Sequence, residues 1–282
     1  MHFSRSDVKK AIVDFLRGRW VSAQTENGFR RYLNGRPLRI RDEVELEMLL
    51  RLLGPIRTFY GTIEIYKRIE KREDVFDRGN VVSATPTWDI DSEIGDWRAT
   101  VDVAKEMIKF LEKEGVKQSV FVIWSGNGAH VHIHPLSISL NIDPLDAAWS
   151  ITEFVRLKLE MKVEEIRRKY NAKKLVLANE IRPRRVFTAP LCFHRKLDVI
   201  TVPLVPEDLD YFDISWTSPG NFKFSSDWNR FSRGEADSLL RKAYESIGGY
   251  PIASRRRRKG KRLEDMLWFN EPPSEHHQQP QL

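Results

Sequence analysis

The fold that this sequence can adopt is most constrained by two strand patterns joined through a short glycine-rich turn. Residues 118–124 are mostly apolar, as in a buried strand, and a second strand pattern follows the turn at residues 130–136. Before them, residues 96–114 carry apolar side chains at helical spacing and end at Gly115. The order of elements is mixed and is not a regular alternation of strands and helices. The sequence therefore predicts an α+β fold with a mixed, largely antiparallel sheet flanked by helices.

Local patterns predict the remaining elements. Asn34-Gly35 is a two-residue hairpin signal between short strands at 29–33 and 37–40. Further helices are predicted at 6–17, 43–53 and 144–169, and further strands at 59–66 and 81–91. With 282 residues, 41% of them hydrophobic, the chain can bury a substantial core, and we expect one catalytic domain over residues 1–250.

The end of the chain has a different composition. Residues 251–282 contain the basic run 255–262, and we predict that they form a flexible tail. Such a tail is either simply solvated or a phosphate-gripping arm, and the composition leaves both readings open. The formal net charge of +7 favours a polyanionic partner without naming one.

Several classes of protein are disfavoured. No stretch of about 18 uninterrupted apolar residues occurs, and charged residues come early, so neither a membrane span nor a signal peptide is predicted. We therefore expect a cytoplasmic protein with no membrane partner. The single cysteine, Cys192, excludes an intrachain disulfide and a zinc site built from several cysteines. Histidines and carboxylates remain as candidate metal ligands.

Asp89 and Asp91 end the apolar strand predicted at 81–91. Because side chains alternate along a strand, both carboxylates are expected on one face of the sheet, where they would repel each other unless a cation lies between them. Two Mg²⁺ or Mn²⁺ ions bridged to a nucleoside triphosphate would neutralise them. The alternative is an ordinary surface pair at a strand end.

The turn at 125–129 and the strand after it offer candidate phosphate ligands. Two glycines allow backbone N–H groups to approach a phosphate closely, and His130 can donate to the same anion. His130, His132 and His134 are predicted on one face of this strand, so a histidine metal site is an alternative. The later segment 180–199 contains four arginines and His194 among apolar residues. It is either a clamp for a triphosphate or an edge strand with solvated charges.

Taken in order, these segments resemble the small catalytic subunit of archaeal and eukaryotic primases, within the archaeo-eukaryotic primase superfamily. The resemblance covers residues 5–215, including Trp-Asp-Ile-Asp at 88–91, Ser-Gly-Asn-Gly-Ala-His at 125–130 and Pro-Leu-Cys-Phe-His-Arg-Lys at 190–196. The turn at 125–130 is one residue shorter than in cellular primases and looks more like that of plasmid or viral members. The cysteines of the family's zinc knuckle are absent, and no zinc knuckle is expected.

The resemblance implies roles for individual residues. Asp89 and Asp91 match the family's metal-binding pair, and Glu180 is the candidate for its third carboxylate, with Asp198 as a weaker substitute. Two ions, Mg²⁺ or Mn²⁺, are implied. The residues implied to hold the incoming nucleotide are Ser125, Gly126, Asn127, Gly128, His130, His194 and Lys196.

The implied activity is that of a template-dependent nucleotidyltransferase, a DNA primase or primase-polymerase. It would join NTPs or dNTPs on single-stranded DNA and release pyrophosphate. A large primase subunit or a helicase is a further candidate partner. Arg30, Arg39 and Arg41 of the hairpin region would contact template or primer phosphates, unless they are plain surface charges. The alternatives are a non-catalytic nucleic-acid-binding relative and a metal-dependent nuclease.

Overall fold

The computed structural model describes residues 2–251, so the predicted tail at 251–282 lies outside the described residues except for Pro251. The helices in this part of the chain are α1 (Ser6–Leu16), α2 (Glu43–Leu52), α3 (Trp97–Lys113), α4 (Pro144–Tyr170) and α5 (Asp237–Ile247). The first four agree with the predicted helices to within about two residues, and α5 was not predicted. Asp143 begins α4 by accepting hydrogen bonds from Leu145 N and Asp146 N, and Asn171 ends it with a left-handed φ of 51°.

The strands fall into two sheets and two small ribbons. They are β1 (Val21–Thr25), β2 (Gly28–Arg30), β3 (Tyr32–Leu33), β4 (Arg36–Pro37), β5 (Ile56–Thr62), β6 (Glu64–Tyr66), β7 (Val81–Ala84), β8 (Thr87–Asp91), β9 (Val120–Trp124), β10 (Ala129–Ile133), β11 (Val176–Asn179), β12 (Val186–Thr188) and β13 (Val202–Leu204). The four-stranded sheet has the order β12-β5-β1-β2 and the five-stranded sheet the order β11-β8-β10-β9-β13.

Every strand pair in residues 2–251 is antiparallel, including the ribbons β3-β4 and β6-β7. The predicted α+β class, with antiparallel sheets flanked by helices, is therefore confirmed. The hairpin at Asn34-Gly35 is also present, because Leu33 pairs with Arg36 and both turn residues have positive φ. Its arms are shorter than predicted, and Phe29 belongs instead to β2, which pairs with β1.

Two predicted strands are each divided in the structure. The segment 81–91 breaks at Thr85-Pro86, so that β7 pairs with β6 while β8 lies inside the five-stranded sheet. Pro86 has no N–H to donate, which suits a break between strands. The segment 59–66 breaks at Ile63 and gives β5 and β6, which also belong to different sheets.

The two faces of β8 meet different partners. Trp88 points towards α4, where its Nε1 donates to Thr152 O at 2.8 Å. The opposite face carries His130 and His132 of β10, which contact Phe187 of β12 and Phe15 of α1 with ring centroids 4.8 and 6.3 Å apart. The face that contains Asp89 therefore looks towards the four-stranded sheet. No helix within residues 2–251 is both long and apolar enough to cross a membrane.

Candidate active site

Asp89 lies between two strands that fix its neighbours. It is directly opposite His130 on β10 and directly opposite Ala178 on β11. Side chains of directly opposed residues in an antiparallel sheet lie on the same face, and His130 Nε2 is 3.4 Å from Asp89 Oδ1. Asp89 is only 7% exposed. A buried carboxylate therefore faces a buried imidazole across the sheet.

Burial changes the protonation of both acids on this strand. Loss of hydration raises the pKa of Asp89 to about 6, a rise that Arg185 opposes and Glu180 adds to. The pKa of Asp91 is also raised, first by partial burial and then by the charge of Asp89. Asp91 itself reaches the solvent-exposed end of the strand. A cation placed against this face would reverse both shifts.

Arg185 is the cation that the structure places beside Asp89. Its Nη2 lies 3.4 Å from Asp89 Oδ2 and 3.6 Å from Glu180 Oε2, so one guanidinium nitrogen bridges the two acids. Both distances exceed the 2.7–2.9 Å typical of strong charge-assisted hydrogen bonds. The Nε of Arg185 is buried and has no hydrogen-bond partner within residues 2–251. The arginine offsets part of the negative charge of the two acids, without a close bidentate fit.

The acids fit a divalent cation only in part. Asp89 and Asp91 offer carboxylate oxygens, which are suitable ligands for Mg²⁺ or Mn²⁺. Glu180 follows β11 two residues after Ala178 and interacts with Asp89 through Arg185. In the part of the chain that the structure describes, no three His, Cys, Asp or Glu side chains converge as a metal-binding group. The two aspartates offer ligands for an ion, but Arg185 lies between Asp89 and Glu180, so Glu180 would complete the set only if that guanidinium moved.

His130 is buried as a neutral imidazole. Loss of hydration and the charge of Arg185 together lower its pKa to about 3, an effect that Asp91 opposes. The Nδ1 of His130 is buried without a hydrogen-bond partner among residues 2–251. Because an unsatisfied buried polar atom costs about 1–3 kcal/mol, Nδ1 is a place where a ligand or water would be stabilised.

The three histidines of this segment do not converge as a metal site. His132 accepts or donates a 2.9 Å hydrogen bond at Nδ1 with Thr87 Oγ1 and stacks on Phe121. The prediction that His134 shares this strand face is wrong, because β10 ends at Ile133. His134 instead accepts from Leu136 N and stacks on Phe231 with ring centroids 4.3 Å apart.

The turn between β9 and β10 packs tightly against the end of β8. Ser125 N and Oγ both donate to Gly128 O, at 2.9 and 3.2 Å. A Cβ added to Gly128 would lie 2.0 Å from Ile90 O, so only glycine allows this approach. Ser92 Oγ donates to the carbonyl of the exposed Asn127 at 3.0 Å. The predicted phosphate turn is therefore held against Asp91.

His194 lies on the other side of this turn. A Cβ added to Gly126 would be 2.9 Å from His194 Cδ2, and Gly126 has a φ of +124°. The Nδ1 of His194 accepts from Lys196 N and Leu197 N, at 3.2 and 2.9 Å. Burial lowers the pKa of His194 to about 4, so the imidazole is neutral and its proton is on Nε2. The Lys196 side chain is exposed.

The hairpin arginines are arranged differently from the other predicted site residues. Arg30 is exposed on β2. Arg39 donates to Ile69 O at 2.8 Å and pairs with Glu70, and Arg41 donates to Glu45 at 2.5 and 2.8 Å. The contacts of Arg39 and Arg41 therefore go to these residues and not to the Asp89 strand.

Three contributors to the site were not singled out from the sequence. They are Arg185, which bridges the acids, Ser92, which holds the turn, and Arg57, whose guanidinium donates to His194 O and Leu197 O at 2.7 and 2.6 Å. Arg185 lies in the arginine-rich segment that was recognised as a unit. Ser92 directly follows the Asp-Ile-Asp motif, but neither it nor Arg57 carries a pattern that would identify it.

Comparisons with known proteins give a likeness of fold. No family model and no curated protein matches the sequence. Among solved structures, the chain is similar to the polymerase domain from Mycobacterium tuberculosis Ligase D in complex with DNA. The TM-score is 0.54 with 14% sequence identity, covering 88% of this chain and 87% of that chain. The protein thus shares the fold of a polymerase domain over most of its length.

Proposed function

We propose that the protein is a template-dependent nucleotidyltransferase, a primase or primase-polymerase that joins nucleoside triphosphates on single-stranded DNA. One observation carries the proposal: the Asp89 strand, the turn 125–128 and His194 lie against one another. Gly128 packs on the backbone of Ile90, and Gly126 packs on His194. Acids and candidate phosphate ligands from three distant parts of the sequence therefore lie next to one another at one site. The polymerase-domain fold supports the same assignment.

In this proposal, Asp89 and Asp91 hold Mg²⁺ or Mn²⁺, with Glu180 as the third carboxylate. The bound ion supplies positive charge that neutralises the carboxylates and the triphosphate. Neutral His130 and His194 donate hydrogen bonds to phosphate oxygens, and the backbone of residues 125–128 and Lys196 contact the same group. These residues orient the α-phosphate towards the end of a primer or a first nucleotide.

The reaction itself needs little covalent participation by the protein. The 3′-oxygen bonds to the α-phosphorus while the bond from that phosphorus to the bridging oxygen of the β-phosphate breaks, and pyrophosphate leaves. The hydroxyl proton passes to solvent. The protein contributes by orienting the reactants and by stabilising the charge that develops on the phosphate oxygens.

A second candidate function is supported by the arrangement of the acids. Ala178 occupies the position directly opposite Asp89, where an acid would extend the carboxylate face, and Arg185 lies between Asp89 and Glu180. A relative that binds single-stranded nucleic acid without turnover would have this arrangement. It would retain the fold and the phosphate-binding groups and would incorporate no nucleotide.

One assay separates the two functions. The protein is incubated with single-stranded template, Mg²⁺ or Mn²⁺ and labelled NTPs or dNTPs, without primer, and the products are resolved by length. We expect metal-dependent products from the wild type and none from Asp89→Asn. The matched control is Asp102→Asn, which removes an acid on α3 that forms an ion pair with Lys169 of α4. This variant should remain active. Template binding with no incorporation under any metal would support the non-catalytic function, and degraded template would indicate a nuclease.

A further inference from the structure

An exposed aromatic ring lies near the candidate active site, among cations that the proposed mechanism does not use. Phe76 is 49% exposed, so part of its ring is accessible to a ligand. The guanidinium carbon of Arg184 lies 4.7 Å from its ring centroid, and that of Arg72 lies 5.8 Å away. We call the patch formed by Phe76, Arg72, Arg184 and Tyr32 the Phe76 surface.

The Phe76 surface rests on a small core of its own. Trp20 is buried, and its ring lies 5.9 Å from Phe76 and 5.5 Å from Tyr32. The Arg31 guanidinium stacks on the Trp20 ring at 3.3 Å. Trp20 packs with Tyr66, Ile69 and Val75 in a cluster separate from the main core. The rings of Phe76 and Tyr32 therefore pack on buried Trp20, which belongs to this cluster.

Arginines and acids both lie at this patch. Burial raises the pKa of the Tyr32 phenol, an effect that Arg72, Arg31 and Arg184 oppose and Glu73 adds to. Among residues 2–251, neither Arg72 nor Arg184 forms a salt bridge with a carboxylate side chain, although the backbone N–H of Arg184 donates to buried Glu64 at 2.7 Å. Their guanidinium groups remain next to the exposed ring. A ligand with both flat apolar faces and negative charge complements this combination.

The backbone fixes how close the Phe76 surface is to the acids. Arg184 has a left-handed φ of 61°, an uncommon conformation for a residue other than glycine, and Glu64 holds it there. The next residue, Arg185, reaches Asp89. Because of this strained turn, Arg184 lies against Phe76 while the next residue, Arg185, lies against Asp89.

We propose that the Phe76 surface binds single-stranded nucleic acid, with a base stacked on Phe76 and the neighbouring phosphates paired with Arg72 and Arg184. Stacking on an aromatic ring combined with cationic backbone contacts is the usual physical basis of single-strand binding. A duplex fits poorly, because its bases are already stacked on each other. The inference deepens the proposed function by naming the surface that holds the template strand next to Asp89, and it rests on that function only for the strand's role as template.

The test is fluorescence anisotropy with a labelled oligo(dT) of about 16 nucleotides, without nucleotide or divalent cation. Phe76→Ala is expected to weaken binding about tenfold, because it removes the ring on which one base stacks. Phe76→Trp should retain binding. Tyr211→Ala removes another exposed aromatic, 79% exposed, and is the matched control. Equal affinity of Phe76→Ala, Tyr211→Ala and the wild type would overturn the proposal.

The salt dependence tests the arginines separately. Arg72→Ala and Arg184→Asn should each make the slope of log Kobs against log salt shallower by about 0.7, because each removes one phosphate contact to a single strand. Asparagine is chosen at 184 because it tolerates positive φ. Arg51→Ala, on an exposed face of α2, removes the same charge elsewhere and should leave the slope unchanged. Equal slopes for all of these variants would contradict the assignment.

The outcome is independent of whether the protein transfers nucleotides. Normal oligonucleotide binding by Asp89→Asn and loss of binding by Phe76→Ala would support the Phe76 surface even if the wild type proves inactive. Nucleotide incorporation with unchanged oligonucleotide binding by Phe76→Ala would overturn the surface and leave the proposed function standing. A Phe76→Ala variant that binds DNA normally but turns a dimer into a monomer would assign the surface to a second copy of this chain and overturn the proposal.

Discussion

Arg185 and Asp89 are joined by a 3.4 Å contact between guanidinium Nη2 and carboxylate Oδ2, and the same nitrogen reaches Glu180 at 3.6 Å. The guanidinium therefore lies against Asp89, one of the two aspartates that the proposed function assigns to a divalent cation, and separates it from Glu180. A charge of the same sign as the metal, at this position, competes with it directly. Metal binding is expected to require that the Arg185 side chain move away, while its backbone stays fixed by the hydrogen bond from Ile63 N to Arg185 O.

Arg185→Gln is predicted to make metal binding tighter and the metal-free protein less stable. The loss of the buried counter-charge should lower the free energy of unfolding by roughly 1–3 kcal/mol, and the increase in Tm on adding Mn²⁺ should exceed that of the wild type. Thermal melts at about pH 8, where Asp89 is ionised, measure both effects. Arg182→Gln is the control, because Arg182 is exposed and reaches only Glu180, at 3.7 Å. If both variants respond to Mn²⁺ like the wild type, Arg185 does not occupy the metal position.

Asp89 should make stability and metal binding depend on pH in opposite directions. Its pKa rises from 3.8 to about 6 on folding, so its contribution to stability is fully present below pH 3.8 and is lost as pH rises through about 6. A rise of about 2 units corresponds to about 3 kcal/mol. Asp89→Asn should therefore gain stability relative to the wild type as pH is raised from about 4 to about 7, in denaturant titrations without metal.

The same ionisation should favour the metal. Because a carboxylate must lose its proton to bind a cation, Mn²⁺ affinity should increase as pH rises through about 6 and level off above it. Isothermal titration calorimetry across this range gives the profile. Asp89→Asn should remove this dependence together with most of the binding. A flat profile for the wild type between about pH 5 and about pH 7 would argue against Asp89 as the ligand.

Gly128→Ala is predicted to separate the phosphate turn from the Asp89 strand. The added methyl group would lie 2.0 Å from Ile90 O, a backbone atom that cannot rotate away. We expect a loss of about 1–3 kcal/mol of stability and a loss of nucleotide binding in a filter-binding assay. Gly220→Ala, where a Cβ meets nothing within 4 Å, should behave like the wild type. Normal nucleotide binding by Gly128→Ala would remove the turn from the site.

Ala178→Asp is predicted to strengthen metal binding, because it places an acid on the strand position directly opposite Asp89. The increase in Tm with Mn²⁺ should be larger than in the wild type, although the metal-free variant should melt earlier. Ala178→Asn has nearly the same shape without the charge and should not gain metal affinity. Equal metal responses of the two variants would count against a cation on this face. If the wild type proves inactive, restored incorporation in Ala178→Asp would identify the missing acid as the reason.

The sequence was most informative where one periodicity ran over many residues. The α3 and α4 helices and the strands on either side of the turn at 125–128 were predicted because their apolar residues repeat regularly over five or more positions. The strands β11, β12 and β13 have three or four residues each, too few to show a period. Neither β11 nor β13 was predicted, and β12 lies in the segment 180–199, for which an edge strand was one of two alternatives. The division of residues 81–91 depends on which sheet each half joins, which a local pattern does not contain.

The sequence pointed to candidate site residues more readily than to the contacts between them. Asp89 and His130 were expected to be near each other, and strand pairing places them opposite each other. The approach of His194 to Gly126 links residues 68 positions apart and depends on the packing of the whole domain. The bridge from Arg185 to Asp89 depends on the strained φ of Arg184 and on buried Glu64. No local pattern in the sequence encodes either arrangement.

The most direct test of the site is an anomalous diffraction map from crystals containing Mn²⁺ and a non-hydrolysable nucleoside triphosphate. The proposed function predicts a manganese peak between the carboxylates of Asp89 and Asp91, with the Arg185 guanidinium moved away from Asp89. It also predicts triphosphate density against the turn 125–128 and His194. Nucleotide bound elsewhere, or no manganese at the two aspartates while Arg185 still bridges Asp89 and Glu180, would contradict it.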